Sequence, residues 1–78
     1  GAVEGPRMDR VIAREAAEKG MPERAVREGY AAGTALRRFS TPAEIAALAV
    51  FLTTPGAAMI SGQALAVDGL TINPDPQV

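Results

Sequence analysis

Three apolar patterns succeed one another along the chain, and each predicts a different element. From about Pro6 to Lys19, Met8, Val11, Ile12 and Ala16 fall on one face at helical spacing, and Pro6 suits a first helical position. Glu15 and Lys19 form a supporting i,i+4 pair, and Gly20 is a natural stop. A shorter helix is expected from about Pro22 to Ala32, with Ala25, Val26 and Tyr30 as its apolar residues and Gly29 and Gly33 weakening it. Together these two helices predict a peripheral hairpin over residues 6–33, with mixed charge and one thin apolar stripe.

The third pattern is apolar all round. Thr41-Pro42-Ala43-Glu44 reads as a capping box, with Thr41 as the cap and Glu44 reaching back to it. The helix it opens is expected to run to Leu52 or Thr53, ahead of Pro55-Gly56, so the element occupies 41–53. Ile45, Leu48, Ala49 and Leu52 form the large apolar stripe, and alanines with Val50 and Phe51 fill the rest. A helix without a polar face is expected to be covered on more than one side. The small-residue face then predicts a closely approaching second surface, hence a subunit contact. Downstream, Gln63 to Asp68 contains an apolar run without polar alternation, which predicts a strand buried on both faces. The remaining tail, Asn73 to Val78, is turn-rich and expected to be loosely held. One strand needs hydrogen-bonding neighbours that the sequence does not otherwise supply. The chain is therefore expected to be incomplete as an isolated fold.

Composition sharpens this expectation. Of the 78 residues 47% are hydrophobic, but sixteen are alanine and only Tyr30, Phe39 and Phe51 are aromatic. Burial of a large apolar side chain contributes roughly 1.5–3 kcal/mol, against about 1–2 kcal/mol of backbone entropy for each ordered residue. Cysteine and histidine are both absent, so neither a disulfide nor the usual zinc ligands can compensate. All Lys and Arg lie at or before Arg38, while only Glu44, Asp68 and Asp75 carry charge from Phe39 onward. Forty residues with three charges read as interior. A net charge of −1 argues against a nucleic-acid partner. No apolar run reaches membrane-spanning length. The lack of cysteine agrees with a reducing, cytoplasmic setting.

Joint order and spacing now matter more than any single motif. Gly1-Ala2-Val3, the hairpin, Leu36-Arg37-Arg38-Phe39, Thr41 to Ala46, Phe51-Leu52, Ile60-Ser61-Gly62-Gln63 and Val67-Asp68-Gly69 succeed one another along nearly the whole chain. This series resembles the C-terminal third of a short-chain dehydrogenase/reductase. The resemblance implies an α/β fold, the C-terminal part of a Rossmann-like doubly wound parallel sheet that binds NAD or NADP at the carboxyl ends of its strands. It implies that residues 1–5 form a cofactor-side loop, with Gly1 in its opening turn and Val3 meeting the nicotinamide carboxamide through its backbone. Gly5 stands where many members carry a cofactor-bonding threonine, and Leu70 stands where Asp-Gly-Gly is commoner. Residues 6–33 would be the substrate lid. Residues 41–53 and 63–68 would be the last helix and strand, and would join subunits into a homodimer or homotetramer. The implied reaction interconverts a small-molecule alcohol and carbonyl.

The family's glycine-rich turn and its Tyr-x-x-x-Lys pair have no counterpart in these residues: Tyr30 is followed four places later by Thr34. No catalytic residue is therefore assigned within the chain. The alternative reading is a catalytically inert, truncated module that acts through oligomerisation. Of the other candidates, Tyr30 is expected to pack the hairpin rather than touch substrate, Arg37 and Arg38 to be solvated or structural, and Glu4 to be a solvated loop charge. Ser40 and Ser61 lack a histidine to activate them, and no set of metal ligands can be assembled.

Overall fold

The computed structural model describes residues 1–78 and contains three α-helices: α1 (Pro6–Lys19), α2 (Glu23–Ala32) and α3 (Pro42–Phe51). A short 3-10 turn, Pro55–Ala57, follows α3. Pro6 opens α1, and Gly20 ends it in the left-handed conformation with its N–H bonded to the Ala16 carbonyl. The apolar stripe of α1 turns inward as its spacing requires. Met8, Ile12 and Ala16 are buried, and with Val26 of α2 and Phe39 they make the core. Ile12 and Val26 are almost wholly enclosed, so each contributes roughly 2 kcal/mol of apolar burial.

Helix α3 forms because its cap is complete. The Glu44 N–H donates to Thr41 Oγ1 at 3.1 Å, and the Thr41 N–H donates to Glu44 Oε1 at 2.9 Å. The helix ends at Phe51, slightly earlier than expected. The hydroxyls of Thr53 and Thr54 donate to the carbonyls of Val50 and Phe51 and so satisfy acceptors at its end. No residue of α3 is buried. Its apolar faces stand open, and α1 and α2 are the only elements in extensive contact.

The expected last strand at 63–68 is not formed. The segment lacks regular structure, and only two isolated bridges occur in the molecule, Val3 with Ser40 (parallel) and Thr34 with Thr71 (antiparallel). A strand is defined by its ladder, and no backbone–backbone hydrogen bond joins 63–68 to another segment. Ser40 provides a single tie, donating from Oγ to the Val67 carbonyl at 2.7 Å.

The tail differs from expectation in the opposite sense. Residues 72–77 lie along the end of α2, where the N–H groups of Ile72 and Asn73 both donate to the Gly33 carbonyl and that of Gln77 donates to the Gly29 carbonyl. Gly33 permits this approach: a Cβ there would stand 2.1 Å from the Asn73 carbonyl oxygen. The glycine that ends α2 thus makes room for the tail.

Candidate functional site

Residues 1–8 line a concave surface of about 270 Å³ that includes Gly1, Val3 and Gly5. Its floor is the loop ahead of α1, held by a two-bond pairing with Ser40. The Glu4 N–H donates to the Ser40 carbonyl at 2.8 Å, and the Ser40 N–H donates to the Ala2 carbonyl at 3.1 Å. In such a pairing the intervening residue turns its own polar groups to the other side. The Val3 N–H and C=O accordingly have no partner within the chain. One free donor beside one free acceptor complements a primary carboxamide, which offers an acceptor oxygen and a donor nitrogen.

Of the other two glycines, Gly5 is explained by the backbone. Gly5 has φ 152° and ψ 173°, a region essentially reserved for glycine. A Cβ there would meet nothing within 4 Å, so conformation rather than crowding selects the residue. A threonine would not adopt this backbone, and its hydroxyl is replaced here by open space. At Gly1 a Cβ would stand 2.8 Å from the Thr71 Oγ1, a side-chain atom that can turn aside.

A second, larger cleft of about 420 Å³ runs between residues 35–40 and 66–70, with Phe39, Ser40, Glu44 and Val67 among its walls. Arg38 and Glu44 form a two-pronged ion pair at its edge. The Arg38 guanidinium, helped by the Thr41 backbone N–H, holds the Glu44 carboxyl down at about 2. Arg38 is thus a structural residue of the α3 start, as the sequence suggested. Arg37 and Leu70 both have left-handed backbone, with φ 57° and 61°, a conformation costing a side-chain-bearing residue roughly 1–2 kcal/mol.

Tyr30 sits in the hairpin core with its ring edge-on to Phe39, 6.5 Å between centroids. Its hydroxyl faces Glu15 Oε1 at 3.5 Å. Burial, and then the Glu15 charge, raise its pKa above the usual value, so at neutral pH it is a protonated packing residue. Ser40 is buried and committed to Val67, which leaves it no nucleophilic role. No group of His, Cys, Asp or Glu that could hold a metal ion forms. No helix is long and apolar enough to cross a membrane.

Sequence reasoning missed Arg27. Its Nη1 donates to both carboxylate oxygens of Glu4 at 3.0 and 3.1 Å, and its Nη2 donates to Asp9 Oδ1 at 2.8 Å. The guanidinium also lies over the Phe39 ring, 5.0 Å from its centroid. Glu4 is therefore an ion-paired residue, not the solvated loop charge expected. The only sequence signal was position: Arg27 is flanked on α2 by the core residues Val26 and Tyr30, next to one and three places before the other.

The chain thus joins a helical hairpin to a short loop in which the Val3 N–H and C=O are unpaired. Comparison with known proteins gives it a family. Residues 9–69 match the family model described as enoyl-(acyl carrier protein) reductase. The chain belongs to that family, as a segment of a short-chain dehydrogenase/reductase. Membership implies a Rossmann-like fold. A stretch of 48 residues, 60% of the chain, is 46% identical to a tropinone reductase homolog from Arabidopsis thaliana, and this match spans 18% of that relative's length. No solved structure matches.

Proposed function

We propose that this chain supplies the cofactor-side loop, substrate lid and subunit-contact helix of an NAD- or NADP-dependent oxidoreductase that interconverts an alcohol and a carbonyl. The observation that carries this reading is the free N–H and C=O pair of Val3, which suits a nicotinamide carboxamide. When bound, the dinucleotide would supply the hydride. Both the matching family and the Arabidopsis relative are described as reductases, which supports that chemistry. Val3 would orient the nicotinamide ring, Gly1 and Gly5 would shape the loop around it, and the α1–α2 hairpin would exclude water above the substrate. No proton-transfer residue is assigned within these 78 residues.

The exposed Ile45, Val50, Phe51 and Leu52 support the subunit contact, as does the total surface. The molecule exposes 5423 Å², roughly 900 Å² more than a compact protein of its 8.1 kDa mass. One partner's share of a standard protein interface is about 800 Å². Residues 41–53 and 63–68 would provide it in a homodimer or homotetramer, where 63–68 would gain the ladder it lacks here. Titration of the intact protein with NADH and NADPH tests the reading. Binding of either, weakened when Val3 is replaced by proline to remove its N–H, is expected; no binding of either at saturation would overturn it.

The unburied α3, with Val50 and Phe51 exposed, also suits one other reading, an inert module acting through oligomerisation by that helix. Light scattering tests this against the enzyme reading: a stable oligomer that never binds a nicotinamide dinucleotide would support the inert module.

A further inference from the structure

We propose that Arg27 is a positioning residue that latches the Val3–Gly5 loop to the hairpin and thereby couples lid position to dinucleotide binding. The proposal rests on the reading of Val3 as a cofactor contact.

The hairpin itself does not need this arginine. Met8, Ile12, Ala16 and Val26 already join α1 to α2 through an apolar core. Asp9 gives Arg27 one partner on α1, but Glu4 lies outside the hairpin, 23 residues away in the loop. Glu4 is immediately between Val3 and Gly5. Its backbone is fixed by Ser40, and its side chain is fixed by Arg27. Phe39, under the guanidinium, is the neighbour of that same Ser40. The loop is thus held from both sides by one assembly: the Ser40 pairing on the backbone and the Arg27 fork on the carboxylate.

This geometry has a directional consequence. Val3 can present its N–H and C=O on the open side only while Glu4 stays paired with Ser40. Any movement of α2 away from the loop draws Arg27 with it, and either pulls on Glu4 or breaks the fork. The lid and the cofactor loop therefore move together. Glu4 and Arg27 are both partly exposed, at 46% and 38% of their side-chain surface, so a lone pair would be weak and screened by salt. Two carboxylates and a ring face around one planar guanidinium make a geometry that lysine does not reproduce.

The experiment uses the intact protein with Arg27→Met, Arg27→Lys, Glu4→Gln and the double variant Glu4→Gln/Arg27→Met. Amide hydrogen exchange and NADH and NADPH binding are measured for each. Arg24→Met, which removes an exposed pair with Glu28 on the same helix, is the control. The latch requires faster exchange at the Glu4 N–H in Arg27→Met and in Glu4→Gln, with the Met21 N–H at the end of α1 unchanged. It also requires a rise of about fivefold or more in the dinucleotide Kd, about 1 kcal/mol of binding free energy. The double variant should be no worse than the worse single one, and Arg27→Lys should fall between wild type and Arg27→Met. Unchanged Glu4 exchange in Arg27→Met, or single-variant effects that simply multiply, would overturn the latch. A wild-type protein that binds neither dinucleotide, yet shows the exchange pattern, would retain the mechanical latch and remove the cofactor reading.

Discussion

Leu70 carries a backbone conformation better suited to another residue. With φ 61° and two thirds of its surface exposed, it has strain without much burial to offset it. Leu70→Gly is expected to stabilise the protein by about 0.5–1 kcal/mol, the left-handed strain relieved less the extra chain entropy glycine carries when unfolded. Urea unfolding measures this directly, and a loss of stability would show that Leu70 makes a contact not seen here. Glu44 gives a pH signature. Because its carboxyl titrates at about 2 in the folded chain rather than near the usual 4.5, with the Arg38 guanidinium as the first cause, the stability it confers is complete above about 4.5. That contribution drains away as pH falls from there towards 2. Glu44→Gln should flatten this part of the stability curve, and carboxyl titration by NMR should locate the low value. Capping boxes are written in the sequence, so this site was legible in advance. Arg27 was not, because its carboxylate partners lie 18 and 23 residues away and periodicity carries no information about such pairs.

Among the elements, α1 was readable to its ends because proline opens it and a left-handed glycine closes it. The bounds of α2 and α3 fell within two residues of expectation. The strand at 63–68 is not formed within these residues, because an apolar run records a burial preference whereas a ladder requires a second segment. The tail was misjudged because proline-rich sequence shows what a segment cannot form, not what it lies against. The two α2 glycines now make a contrasting pair. Gly33→Ala sets a methyl against backbone, so the tail must leave. The expected outcome is a loss of about 1–3 kcal/mol, typical of overpacking, with lost exchange protection at the Ile72 and Asn73 N–H groups. At Gly29 the first contact is the movable Val78 side chain at 2.7 Å, with the Gln77 backbone nitrogen only a tight 3.2 Å away, and alanine returns about 1 kcal/mol of helix propensity. Gly29→Ala should be near neutral. Equal losses at both positions, by thermal unfolding, would show that the tail is not held as described.

At the scale of the whole molecule, the chain measures 50 × 23 × 17 Å with a radius of gyration of 15.2 Å, against about 11–12 Å for a compact domain of this length. Only 10 of its 78 residues are buried, and apart from Ala57 in the turn after α3 they lie in or beside the hairpin. The second half, which the sparse charge marked as interior, is mostly exposed, so its composition describes surroundings that these residues do not create for themselves. The open faces of α3 have a thermodynamic consequence. A partner that covers them binds the folded form and not the unfolded one, so it stabilises by mass action. Melting temperature should then rise with protein concentration for the intact protein, and Val50→Glu, which charges a position 64% exposed on α3, should abolish the rise while leaving the hairpin folded. A concentration-independent melting temperature would count against the subunit contact. In such a system dilution is a denaturant, and the amount of protein present belongs beside temperature and pH among the variables that decide whether α3 stays ordered.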